Sequence, residues 1–247
     1  MQPAGDLDLS VIVPVYNEAE NLPALVGEIS AALKPLDRKY ELLLVDDGSR
    51  DESVQVAAEL RTRYPEIRLI RFRENCGQSA ALHAGFAQAR GRTLVTLDAD
   101  LQNDPADIPR LLALLRDCDM VCGWRRNRQD SWVKRAASRV ANAVRSRFLG
   151  DGIRDTGCTL KAFRREVAAV LPLFRGMHRF IPAFARASGF RVIETPVGHR
   201  PRRHGDSKYT VRARAIRATC DMFGVRWLLI RDCRYEIISE EGKPWTK

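Results

Sequence analysis

Asp98 and Asp100 stand one residue apart at the end of an apolar run, Thr93-Leu94-Val95-Thr96-Leu97, and Gln102 follows two residues later. Two carboxylates and an amide oxygen form an all-oxygen donor set. Such hard ligands suit Mg²⁺ or Mn²⁺ and leave coordination positions for substrate phosphates and water. The run reads as a short buried strand, bounded by Gly91 upstream and by Asn103, Asp104 and Pro105 downstream. Alternate side chains of a strand share a face, so the spacing predicts that Asp98, Asp100 and Gln102 converge on one cation. A solvated acidic turn is the competing reading, and an isolated Asp-x-Asp does not separate the two.

Other segments bear on that choice. Leu9 to Val15 is a second apolar strand, running into Tyr16-Asn17-Glu18 before a helical pattern from Glu20 to Lys34. Tyr40 to Val45 is a third, ending in Asp46-Asp47-Gly48-Ser49 before a helical pattern from about Asp51 to Arg63. Three strands therefore end in polar, mostly acidic loops ahead of helices. In open α/β sheets, ligands bind in the crevice outside the carboxyl ends of the strands, so the carboxylates are expected at one crevice.

Pro14-Val15-Tyr16-Asn17-Glu18, Asp46-Asp47-Gly48-Ser49 and Asp98-Ala99-Asp100-Leu101-Gln102 resemble the inverting family 2 glycosyltransferases, which use nucleotide-sugars on a Rossmann-like GT-A fold. Asn127-Arg128-Gln129-Asp130-Ser131-Trp132, Asp155-Thr156-Gly157-Cys158 and His199-Arg200-Pro201-Arg202, with Gly205 and Ser207-Lys208-Tyr209, are similar to the polyprenyl-phosphate branch of that family. The resemblance spans about Leu9 to Tyr209. It implies an α/β GT-A domain over 1–209, with a mostly parallel sheet flanked by helices. Residues 210–247 would add an amphipathic helix, a short strand and a tail for a membrane-surface or oligomer contact. Pro14, Tyr16, Glu18 and Asp46, with Asp98, Ala99 and Asp100, would hold the nucleotide-sugar, UDP- or GDP-linked. Asp98 and Asp100 would act as catalytic residues and, with Gln102, hold Mg²⁺ or Mn²⁺. Arg125, Arg135, Ser138, Arg200, Arg202 and Lys208 would serve the acceptor phosphate, such as undecaprenyl phosphate.

Composition fits that expectation. The chain has 247 residues and a net charge of +10, long enough for one domain with a sizeable core. The charge is divided: residues 1–120 hold 13 Lys/Arg against 20 Asp/Glu, a net of −7, and the rest hold 28 against 11, a net of +17. An acidic half suits a cation-bridged nucleotide. A basic half suits an anion, for which nucleic acid and an anionic membrane are the usual candidates. The chain shows no aromatic stacking platform or groove-reading motif for nucleic acid. Its six cysteines, including Cys118 and Cys122 around an apolar segment, show no zinc-type pairing and read as reduced thiols in a cytosolic setting. The N-terminus has no signal-peptide pattern. Met222 to Ile230 is too short to span a bilayer and carries Arg226.

In the basic half, Ser131 to Phe148 reads as a helix with Val133, Val140, Val144 and Phe148 on its apolar face and Arg145 and Arg147 in solvent. His199 reads as structural. A helix over about Thr210 to Arg231 carries a stripe of Ile216, Cys220, Phe223, Trp227 and Ile230, with Arg212, Arg214 and Arg217 nearby. Such a helix lies in a membrane interface or packs on its own core or another subunit. The expected protein is thus peripheral on the cytoplasmic membrane face, directly or through a membrane partner. Arg234 to Ser239 reads as a final strand able to pair with a second copy. Two other readings stay open: a glycosyltransferase acting on a hydroxyl acceptor, and a non-enzymatic basic binding module.

Overall fold

The structure is a computed structural model that describes residues 7–125, 142–201 and 211–231, the last segment with side chains from residue 219 onward. Strand β1 (Leu7–Val15) is buried along nearly its whole length. Leu9, Val11, Val13 and Val15 enter one apolar layer and Ile12 enters the other, as strand alternation dictates. A strand covered on both faces needs this near-continuous apolar run.

β1 pairs in parallel with β2 (Tyr40–Asp46) on one side and with β4 (Gly91–Thr96) on the other. β3 (Ile67–Arg71) extends the sheet beyond β2. β6 (Lys161–Arg164) lies antiparallel between β4 and β5 (Met120–Arg125), and β7 (Val192–Val197) runs parallel to β5. The order is β3-β2-β1-β4-β6-β5-β7. All the strands but β6 run one way, so the sheet is mostly parallel, as expected. The carboxyl ends of β1, β2, β4, β5 and β7 and the amino end of β6 therefore share one edge.

Helices α1 (Leu22–Leu33), α2 (Ser53–Arg63) and α4 (Ile108–Leu114) contribute to the apolar layer on one face. α3 (Gln78–Gln88), α5 (142–149), α6 (Arg165–Ala169) and α7 (Ile181–Ala187) contribute to the layer on the other. Phe86 of α3 meets Phe163 of β6 edge to face at 5.6 Å, both fully buried. Burying such a side chain stabilises the fold by roughly 1.5–3 kcal/mol.

One helix differs from expectation in the face it buries. In α5, Val144 is 58% exposed while Arg145 is buried. The Arg145 guanidinium pairs with the buried Asp151 carboxylate and donates to the Ile153 carbonyl at 2.6 Å. The turn at Gly150 (φ +70) folds these partners back against the helix, and the strong ion pair overrides the apolar periodicity. The predicted helix residues 131–141 lie outside the described residues.

The last described helix, α8 (Val211–Ile230), has two apolar faces. Val225 is 1% exposed, and Met222 and Leu229 pack with it against the core. Cys220, Phe223, Trp227 and Ile230 face outward, the last three 56%, 57% and 67% exposed. The stripe singled out by its spacing is thus the outer one. No helix among the described residues is long and apolar enough to cross a membrane. The strand expected over 234–239 lies outside the described residues.

Candidate active site

β4 ends at Thr96, so Asp98 to Gln102 do not continue the strand. The chain turns at Ala99 and Asp100, and Leu101 adopts a left-handed backbone with φ 59°. For a bulky buried residue that conformation is uncommon and stores strain of the kind found at functional loops. The face alternation expected of Asp98, Asp100 and Gln102 gives way to a tight turn. Within it, the buried Asp100 accepts the Gln102 N–H on Oδ1 at 3.1 Å.

Asp98 lies on the crevice edge. Its Oδ1 accepts Gln78 Nε2 from the start of α3 at 2.6 Å, and the Thr159 side chain also hydrogen-bonds to it. Burial and the neighbouring Asp100 carboxylate push its pKa up to about 6, against the pull of Thr159, Lys161 and Arg125. Two carboxylates crowded into one buried turn fit a divalent cation, whose charge would remove their mutual repulsion. Among the described residues no cluster of three or more His, Cys, Asp or Glu side chains is arranged to hold a metal. A cation held by this pair would complete its shell from Gln102, nucleotide phosphates and water, the habit of Mg²⁺ in phosphate sites.

The ends of β1 and β2 lie beside this turn, with Val15 opposite Asp46 in the register. Gly48 takes φ +69°, and a Cβ there would sit 2.5 Å from the Glu74 carbonyl carbon. Only glycine fits. The buried Asp47 explains the close approach, because its carboxylate accepts the Cys76 N–H at 2.7 Å and Asn75 Nδ2 at 2.9 Å. Burial raises its pKa despite the backbone N–H groups of Cys76 and Gly77. Asp46 is buried and accepts the Ser49 N–H at 3.3 Å. Asn17, also left-handed at φ 56°, accepts the Arg50 N–H on Oδ1 at 2.8 Å. Glu18 donates its N–H to Ser53 Oγ at 2.9 Å and accepts Asn21 Nδ2 at 2.6 Å. Pro14, Tyr16 and Glu18 remain half-buried along this rim, and Ala99 is buried.

Cations meet the acidic turn from the far side. Lys161 opens β6 opposite Thr96 of β4 and Cys122 of β5. It is buried, and Nζ donates to the Cys158 carbonyl. Arg125 closes β5 and grips Asp155 with Nε at 2.8 Å and Nη2 at 2.9 Å. Gly157 makes room for that guanidinium, since a Cβ there would lie 2.8 Å from Nη2. Arg200, after β7, pairs with Glu28 at 2.6 Å and Asp104 at 2.8 Å. Arg135, Ser138, Arg202 and Lys208 lie outside the described residues.

The structure therefore gathers Tyr16, Glu18, Asp46, Asp98, Asp100, Gln102 and Arg125 at one sheet edge. Sequence reasoning missed Gln78, Thr159 and Lys161. A lysine inside the apolar stretch Leu160 to Phe163 was the available signal for Lys161; nothing in the sequence marked Gln78.

Residues 10–171 match the model of the family described as Glycosyl transferase family 2. The chain belongs to this family. It is 43% identical over 205 residues to undecaprenyl-phosphate 4-deoxy-4-formamido-L-arabinose transferase of Sodalis glossinidius (strain morsitans), covering 82% of this chain and 63% of that protein. It is 38% identical over 233 residues to dodecaprenyl-phosphate galacturonate synthase of Rhizobium johnstonii (strain DSM 114642 / LMG 32736 / 3841), covering 92% of this chain and 69% of that one. The family 2 chain thus spans about 63% of the length of the formamido-arabinose transferase it matches. Among solved structures it resembles glucosyl-3-phosphoglycerate synthase from Mycobacterium tuberculosis, crystallised with Mn²⁺, uridine diphosphate and glucosyl-3-phosphoglycerate. The TM-score is 0.63 at 18% identity, over 90% of this chain and 79% of that one. That likeness is one of fold, the GT-A α/β arrangement.

Proposed function

We propose that this chain is a metal-dependent inverting glycosyltransferase that moves a sugar from a nucleotide-sugar to a polyprenyl phosphate at a membrane surface. The observation that carries the reading is the sheet edge itself. An acidic turn at Asp98 and Asp100 sits between a rim of Tyr16, Glu18 and Asp46 and the cations Lys161 and Arg125. The names of the relatives supply the acceptor class.

Pro14, Tyr16, Glu18 and Asp46 hold the base and ribose, and Ala99 packs beneath the turn. Asp98, Asp100 and Gln102 hold Mg²⁺ or Mn²⁺, which would neutralise charge on the departing nucleoside diphosphate. Arg125, Arg135, Ser138, Arg202 and Lys208 gather the acceptor phosphate opposite the leaving group. A phosphate monoester has a second pKa of about 6 and is largely dianionic near neutral pH. It attacks the anomeric carbon without a protein base, so orientation and electrostatics supply most of the acceleration.

α8 brings the enzyme to its lipid. Phe223, Trp227 and Ile230 form an exposed apolar face, with Arg231 stacked 5.3 Å from the Trp227 ring and Arg226 5.9 Å from Phe148. Aromatic side chains with flanking cations suit the interface of an anionic leaflet. The deciding experiment offers radiolabelled UDP- and GDP-sugars to the full chain with undecaprenyl phosphate, a soluble glycan or neither, and with Mn²⁺ or chelator. Label in the organic phase only with lipid phosphate and metal is the expected result; label only on the glycan overturns the acceptor class.

A further inference from the structure

Arg200 follows β7 in the sequence His199-Arg200-Pro201, at the mouth of the basic segment 202–208. Its guanidinium is occupied at both ends by carboxylates from different elements: Nη1 meets Glu28 of α1 at 2.6 Å and Nη2 meets Asp104 at 2.8 Å. The backbone joins in. The Arg200 N–H donates to the Gln102 carbonyl at 2.9 Å, His199 forms a β-bridge with Asn103, and the Gly198 N–H donates to Asp107 at 2.7 Å. Arg110 of α4 closes the staple by donating to both Asp107 and the Pro196 carbonyl.

We infer that Arg200 is a positioning residue that locks the stem of the basic segment to the loop carrying Asp98, Asp100 and Gln102. Charge decides this against direct phosphate contact. One guanidinium against two carboxylates leaves the cluster with a net negative charge, which repels an incoming phosphate dianion. A fork spanning two carboxylates is also a job that lysine's single point charge cannot do. Fixing the stem next to Gln102 sets where the following cations begin relative to the acidic turn. Misplacing reacting groups by about 1 Å can cost on the order of 100-fold in rate.

The inference rests on the proposed transfer to lipid phosphate, and two measurements on the full-length chain keep the two claims separate. The first is steady-state transfer by Arg200→Gln, Arg200→Lys, Glu28→Gln and Asp104→Asn. Expected is a fall in kcat of roughly 10- to 100-fold for Arg200→Gln, with the KM for undecaprenyl phosphate held within about twofold. Glu28→Gln and Asp104→Asn should fall in the same direction, Arg200→Lys should recover only part, and Glu28→Gln with Arg200→Gln should be no worse than Arg200→Gln alone. A more than tenfold rise in acceptor KM for Arg200→Gln, with Glu28→Gln and Asp104→Asn unaffected, would make Arg200 a phosphate ligand and overturn the inference. The second is amide hydrogen exchange over 198–201 and 102–107, which needs no substrate. Faster exchange in both segments in the carboxylate and arginine variants supports the staple, and unchanged exchange refutes it. If the wild-type chain transfers no sugar to any polyprenyl phosphate, the proposed function fails while the exchange result still decides the staple.

Discussion

At the scale of single residues, the proposed function and stability make opposite demands on the acidic turn. Asp100→Asn should keep the fold by circular dichroism while lowering Mn²⁺-dependent transfer by about 100-fold, or about 2.7 kcal/mol of transition-state stabilisation. Full activity of that variant in chelator would remove the metal role. Asp98 supplies a pH test. Its folded pKa lies near 6, above the ordinary carboxylate value, because of burial and Asp100. The folded state therefore holds its proton longer than the unfolded chain does. The stability this confers is present below about pH 4 and is lost as pH rises through about 6. At pH 7.5 without metal, ionised Asp98 is a liability, so Asp98→Asn should raise the melting temperature by a few degrees while abolishing transfer. Because a cation displaces that same proton, apparent Mn²⁺ affinity measured with UDP should fall about tenfold per pH unit below 6 and level off above it. A flat profile from pH 5 to 7.5 would mean that Asp98 does not meet the cation. The pair itself was legible from residue type and spacing. The turn was not, because a left-handed Leu101 has no sequence signature, and neither was Gln78, whose contact with Asp98 joins residues twenty positions apart.

Elements were legible where apolar period and burial agree. β1, β2 and β4 follow from continuous apolar runs, shifted by one or two residues at their ends. β6 is only four residues long and opens on a charged one, so its pattern is too short to read, although it completes the sheet between β4 and β5. In α5 the apolar pattern points the wrong way, since Arg145 goes inward with Asp151 and Val144 outward. Breaking a buried ion pair strands the remaining charge and costs about 3–5 kcal/mol, whereas a solvent-facing change usually stays within about 0.5 kcal/mol. Asp151→Ala should therefore shift the urea midpoint far to lower concentration, while Val144→Glu should leave it nearly unmoved. Equal shifts for the two would return Arg145 to the surface.

For the whole molecule, the charge division acquires a direction. Under the proposed function the acidic sheet edge would face the nucleotide's cation, and α8 carries one apolar face into the core and another into solvent. Helix periodicity revealed the outer stripe but could not say which side it faces, because Met222, Val225 and Leu229 offer an equally good inner one. The inner set fixes α8 to the domain, so the outer set can be changed without unfolding it. If the outer set meets a membrane, Arg226 and Arg231 each add about 1 kcal/mol on an anionic surface, together about 30-fold in affinity. That part fades over a Debye length of about 8 Å at physiological salt and about 3 Å at 1 M. The apolar part does not fade. Co-sedimentation with vesicles containing anionic lipid should thus weaken by roughly tenfold or more between 0.1 and 0.5 M salt without vanishing. Trp227→Glu should weaken it at least as much at either salt, with its melting temperature unchanged. Vesicles without anionic lipid should bind the wild-type chain weakly and show little salt dependence. If the intact chain ignores every vesicle and Trp227→Glu instead changes its sedimentation coefficient, the outer face belongs to a second copy, and the lipid must reach Asp98 and Arg125 by way of a membrane partner.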